Sequence, residues 1–215
     1  MVDVTTQSFS SKRNAIDFLG FLIGWVAIIG QFILMIQNRQ TDITETIIRF
    51  FSFFTILTNI LVALYFTSRI PVFKNTSFSK LSNSGNLTAL TAFILVVGLV
   101  YQIILRGTWQ PTGLQRIVDE LLHSVIPFFV LLYWLQFATK NDLIFKNIKV
   151  WLWYPVIYLL CIIIRGHFSN FYPYPFINVL EIGYSQTLIN SVIVSLFFLF
   201  IMSVLIFIGN KTRKS

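Results

Sequence analysis

Six apolar stretches, each close to the length of a membrane crossing, dominate this chain. They run approximately over 15–36, 46–66, 86–105, 121–137, 150–164 and 186–208. A helix needs about 20 mostly apolar residues to cross the hydrocarbon core. Within hydrocarbon every backbone polar group must be paired, which leaves helices or closed barrels. Runs of this length without a two-residue alternation predict helices. The expected fold class is therefore all-α, a polytopic membrane bundle of six transmembrane helices, with residues 1–215 forming a single domain.

Composition agrees. Hydrophobic residues make up 56% of the chain and charged residues 11%. A soluble domain carries about 25% charged residues. The 23 phenylalanines suit a lipid-facing surface. Cys161 is the lone cysteine, so an intrachain disulfide is excluded. No removable signal peptide is expected, because the first apolar run is longer than a signal core.

The net charge of +8 is distributed as membrane topology requires. Six crossings place the N-terminus, the 2–3 loop, the 4–5 loop and the C-terminus on one side. That side holds Lys12, Arg13, Arg69, Lys74, Lys80, Lys140, Lys146, Lys149, Lys211, Arg213 and Lys214. The other holds Arg39, Arg49, Arg106, Arg116 and Arg165, with Asp42, Glu45, Asp119, Glu120 and Glu181. Every lysine falls on the first side. The positive-inside rule then places both termini in the cytoplasm of a multi-pass cell-membrane protein. No basic face follows a phosphate backbone, so nucleic acid is not an expected partner. Membrane lipids are.

Polar residues inside membrane helices are costly and mark interior surfaces or functional sites. Here they gather toward the second side, and the first-side half looks nearly devoid of them. Gly20, Gly24 and Gln31 share one face of the first helix and read as a packing surface. Ser52, Thr55 and Asn59 share one face of the second helix, with Thr58 nearby. The third helix adds Gln102 and Arg106. The fourth adds Asp119, Glu120, His123 and Ser124, and the sixth Gln186, Asn190, Ser191 and Ser195. At about 1.5 Å per residue, Thr55 and His123 reach overlapping depths, so they can share a pocket open to the second side.

Pro127 removes the N–H that would bond the His123 carbonyl, which predicts a kink there. Glu120, one turn before His123, is placed to fix its tautomer; Asp119 is the alternative. A threonine hydroxyl needs such a base to become a nucleophile. Asn59, Gln102 and Asn190 are candidate donors to an oxyanion. Tyr172, Tyr174 and Phe176 lie in a proline-punctuated segment of the 5–6 loop and read as an interfacial anchor or a rigid rim over the pocket. No metal site and no cofactor are expected, since ligand spacing and phosphate-binding loops are missing from the sequence.

Three segments, Arg49-Phe-Phe-Ser-Phe-Phe-Thr55-Ile-Leu-Thr58-Asn59, His123-Ser-Val-Ile-Pro127 and Tyr174-Pro175-Phe176, occur in an order that resembles the androgen-induced-protein family of membrane hydrolases, and more closely its bacterial six-helix relatives. The resemblance spans roughly the second to sixth helices. It implies hydrolysis of fatty-acid esters of hydroxy fatty acids by an intramembrane threonine and a histidine, which map to Thr55 and His123. The threonine match admits Thr58 as well, because Thr58 stands where the animal proteins tend to carry Asp or Asn. The expected function is a hydrolase of lipid-like esters with a lipid-like small-molecule substrate. A small-molecule transporter and a noncatalytic lipid-binding module are the alternatives.

Overall fold

The computed structural model describes residues 4–73, 77–82, 85–108 and 110–212. Of the basic residues that set the topology, Lys74, Arg213 and Lys214 lie outside them. Seven main helices follow one another: α1 (Val4–Gln37), α2 (Ile43–Ser52), α3 (Phe54–Arg69), α4 (Asn86–Leu105), α5 (Gly113–Phe137), α6 (Trp153–Ser169) and α7 (Val179–Thr212). No strand occurs among the described residues. Among the described residues, five helical segments are long and apolar enough to cross a membrane, and α2 with α3 form a sixth if that bent pair is one span. The outward faces match this reading. Phe128, Ile157, Leu188, Phe200 and Phe207 are all more than half exposed, a surface that water would penalise and lipid would not.

Helix α1 packs along α3 through its glycines. A Cβ on Gly20 would come within 2.6 Å of the Phe66 ring, and one on Gly24 within 3.1 Å of Ala63. The small residues therefore set how closely the two helices approach. Farther along α1, Gln31 meets Gln115 of α5 through a 2.8 Å hydrogen bond.

The second apolar run is not the continuous helix that its hydropathy predicts. It breaks at Phe53, where the backbone is extended (φ −81°, ψ 125°), and α2 and α3 meet at 73°. Neither proline nor glycine stands at the break. Its cause is tertiary. The Tyr158 hydroxyl of α6 accepts from the Phe54 N–H at 3.2 Å and donates to the Ser52 carbonyl at 2.8 Å. The Tyr174 hydroxyl accepts from the Thr55 N–H at 3.2 Å. Backbone groups released by the break thus find partners without water. The adjacent rings are drawn apart as well. Phe53 packs against Phe171 and Tyr174, whereas Phe54 packs against Tyr154, Tyr158 and Phe198.

The fourth run begins earlier than expected, at Gly113 rather than Leu121, and a π turn precedes Pro127. Residues Leu121–Val125 form a π turn, with the Ile126 N–H bonded to the Leu121 carbonyl. The wider turn absorbs the missing proline N–H. It also aims the His123 carbonyl at Gly98 of α4, where a Cβ would come within 3.0 Å of it. A second π turn, Tyr101–Leu105, ends α4, closed by a 2.8 Å bond from the Arg106 N–H to the Tyr101 carbonyl. Such turns insert an extra residue into a helix and often sit at functional sites.

The fifth and sixth helices extend beyond the predicted ends of 150–164 and 186–208, to Ser169 and back to Val179. Arg165, His167 and Glu181 ride on helix ends rather than in the loop, since long charged side chains can reach the interface from within a helix. The connection between α6 and α7 shrinks to residues 170–178. Asn170 closes α6 in the left-handed conformation, and Gly183 interrupts α7 at φ 74°.

The half expected to be nearly devoid of polar groups contains a buried cluster. Asp17 of α1 is 2% exposed, accepts from the Tyr133 hydroxyl at 2.6 Å, and lies 3.4 Å from Arg69 Nε. A single charge within an apolar helix gave no periodic signal, and its partners come from two distant helices.

Candidate functional site

A cavity of about 550 Å³ lies among α1, α2, α3, α4, α5 and the 170–178 loop. Thr55, Tyr101, Asp119, His123 and Tyr174 line it together. The helix break brings Thr55 there, as the second residue of α3. Two π turns bring Tyr101 and His123 there, with the Tyr101 ring stacked on the imidazole at 4.1 Å and 13°.

The histidine is held on one edge. Its Nδ1 lies 3.0 Å from the Asp119 backbone carbonyl and 3.2 Å from Asp119 Oδ1. Both neighbours accept, so Nδ1 carries the hydrogen when the ring is neutral, and Nε2 keeps its lone pair. Asp119 in turn accepts a short hydrogen bond from the Tyr101 hydroxyl through Oδ2. Asp119 is 5% exposed. Its carboxylate therefore has two donors and little water.

Glu120, the first candidate for orienting His123, is engaged elsewhere. One oxygen pairs with Arg106, and the other accepts from Ser124 at 2.6 Å. Asp119, the alternative that helical spacing also allowed, occupies the orienting position four residues before His123. Tyr101 gave no sequence signal beyond being a tyrosine deep in an apolar helix, where its hydroxyl needs a partner.

Thr55 is 8% exposed, and its Oγ1 lies 3.4 Å from the Tyr174 hydroxyl. No hydrogen bond joins Thr55 to His123, so the contact expected between them is not made. Thr58 is fully buried, bonds the Tyr154 hydroxyl at 3.1 Å and does not line the cavity. Of the two threonines, the structure brings only Thr55 to His123's cavity.

The three amides have structural partners. Asn59 is fully buried and donates to the Thr55 carbonyl at 2.8 Å and the Leu122 carbonyl at 3.4 Å. It ties the turn that begins at Thr55 to the residue before His123. Gln102 donates to Ser124 at 2.8 Å on an exposed face. Asn190 donates to the Phe176 carbonyl at 2.8 Å and accepts from Gln186 at 2.9 Å, which pins the 170–178 loop to α7. None of the three lines the cavity. On the cavity side of Thr55 the donors are instead its own N–H and the Tyr174 hydroxyl. Burial pushes the Tyr174 phenol up, so it stays protonated and able to donate.

The aromatic loop is built in. Tyr174 stacks on Phe176 at 5.3 Å, and Tyr172 fills the space left by the missing side chain of Gly166. Glu45 bridges Arg49 at 2.7 Å and Arg165 at 2.8 Å, and both guanidiniums lie over the Phe171 ring. This staple joins α2, α6 and the loop at the mouth of the cavity. Glu45 and Arg49 lie one turn apart on α2, whereas Arg165 comes from a distant helix.

Among the described residues, no three His, Cys, Asp or Glu side chains gather closely enough to hold a metal ion. No family model, no curated protein and no solved structure matches the chain.

Proposed function

We propose that the chain is a membrane-embedded hydrolase of lipid-like esters, with Thr55 as nucleophile and His123 as base. One observation carries this reading: Thr55 and a histidine whose Nδ1 is held by Asp119 face the same cavity, leaving Nε2 free. A rotation of the Thr55 hydroxyl away from Tyr174 frees it for His123, and contacts of this kind often tighten only when substrate binds. Thr55 Oγ1 then bonds to the ester carbon while its proton passes to Nε2. The carbon–oxygen bond to the alcohol breaks, and the departing oxygen takes that proton. Water repeats the sequence on the acyl-threonine and releases the acid. The Thr55 N–H and the Tyr174 hydroxyl are the donors for the developing oxyanion.

In this proposal the chain crosses the cell membrane six times, counting α2 with α3 as one broken span, and the lysine asymmetry puts both termini in the cytoplasm. The catalytic end then faces away from the cytoplasm. The test is covalent labelling of purified protein by a fluorophosphonate probe. Thr55→Ala and His123→Ala each abolish labelling, while Thr58→Ala retains it. Labelling that persists in both of the first two variants refutes the assignment.

A further inference from the structure

Thr55 stands between two spaces of very different size. The larger is the 550 Å³ chamber that also holds His123. The smaller is a slot of about 50 Å³, lined by Thr55 and Tyr174 together with Phe54, Val97, Val194 and Phe198. His123 lines the chamber and not the slot. No charged side chain lines the slot. A void of about 150 Å³ accepts one benzene, so this slot has room for only a few carbons.

An ester whose carbonyl carbon sits at Thr55 must send its two limbs in different directions. The alcohol oxygen leaves with a proton from His123, so the alcohol limb has to lie in the chamber. The acyl limb is then directed into the slot. We infer that the enzyme takes esters of short-chain acids with large, lipid-like alcohols, and that Phe198 and Val97 set the limit on acyl length. This inference rests on the hydrolase reading above. It also departs from what the family resemblance implies, since there the acyl limb is a fatty chain.

Packing holds the Phe198 wall of the slot in place. Phe198 is 3% exposed and lies edge-on to Phe54 at 5.5 Å and to Phe93 at 6.0 Å, and Phe54 is held by Tyr158 at 4.9 Å. An aromatic wall fixed on several sides cannot yield to a longer chain without breaking those contacts. A misfitted methylene in such a pocket changes rates by roughly tenfold or more.

The experiment measures Thr55-dependent hydrolysis of p-nitrophenyl acetate, butyrate, octanoate and laurate by protein in nanodiscs, with Thr55→Ala as the background. The wild type is expected to favour acetate and butyrate over octanoate and laurate by roughly tenfold or more. Phe198→Ala, and the milder Val97→Ala should the first fail to fold, raise the octanoate-to-acetate ratio by a similar factor. A wild type that prefers long chains, or a ratio unchanged in both variants, while probe labelling at Thr55 persists, overturns the acyl-slot assignment alone. Absence of both labelling and hydrolysis in the wild type overturns the hydrolase reading, and the slot with it.

Discussion

Replacing Tyr158 by phenylalanine removes one oxygen atom and tests how the helix break is held. That hydroxyl serves two backbone groups, the Phe54 N–H at 3.2 Å and the Ser52 carbonyl at 2.8 Å. The break has taken the Phe54 N–H out of the helical ladder, and Tyr158 is 8% exposed, so bulk water does not replace it. An unsatisfied buried group costs about 1–3 kcal/mol, so two groups set an upper range of about 2–6 kcal/mol. Hydrogen bonds between membrane helices average nearer 0.6 kcal/mol, because side chains freed in the bilayer find other partners. A backbone N–H at a fixed break has less freedom to do so, which places the expected loss at about 2 kcal/mol. For a chain of this size that corresponds to a fall in melting temperature of roughly 4–8 °C. Thermal unfolding of the detergent-solubilised protein, followed by tryptophan fluorescence, measures it. Under the proposed hydrolase reading, fluorophosphonate labelling should fall too, since the same break presents Thr55 to the cavity. A Tyr158→Phe variant that melts within about 1 °C of wild type, on the same scale, would show that the tyrosine hydroxyl does not maintain the break.

The two neighbouring carboxylates should separate cleanly. Asp119→Asn removes the negative charge beside His123 Nδ1 and leaves one accepting oxygen for two donors, and is expected to slow fluorophosphonate labelling by on the order of a hundredfold, whereas Glu120→Gln, which only loosens the Arg106 and Ser124 contacts, should leave the rate within about threefold of wild type. The reverse order in timed labelling would restore Glu120 as the orienting group. On α1, Gly20→Val drives a side chain into the Phe66 ring, 2.6 Å from where its Cβ would lie. The expected cost is about 1–3 kcal/mol in thermal unfolding, with Gly107→Ala, which meets nothing within 4 Å, as the neutral control.

Much of the architecture was readable from the chain itself. Apolar runs of spanning length, interrupted by lysine-bearing connections, dictate a helical membrane bundle, because hydrocarbon leaves the backbone few alternatives. The polar residues gathered toward one end were visible and led to Thr55 and His123, whereas the buried Asp17 cluster of the other half was missed. Local rules failed where backbone or carboxylate partners come from far along the chain. Nothing between Thr46 and Phe66 announces a 73° break, because its stabilising hydroxyls belong to Tyr158 and Tyr174, over a hundred positions away.

Spacing along a helix allows Glu120 or Asp119 as the partner of His123; packing engages Glu120 with Arg106 and Ser124 and leaves Asp119 there, and the Tyr101 hydroxyl from another helix completes the arrangement. The three amides looked equally suited to bind an oxyanion. Tertiary packing used them to tie helices together and left the Thr55 N–H and the Tyr174 hydroxyl at the cavity. Composition thus determined that this chain forms a helical membrane bundle, because that property follows from each residue's transfer into lipid. Which polar groups meet, and at which atoms, was decided only by the assembled helices, because a buried hydrogen bond depends on where its distant partner is held.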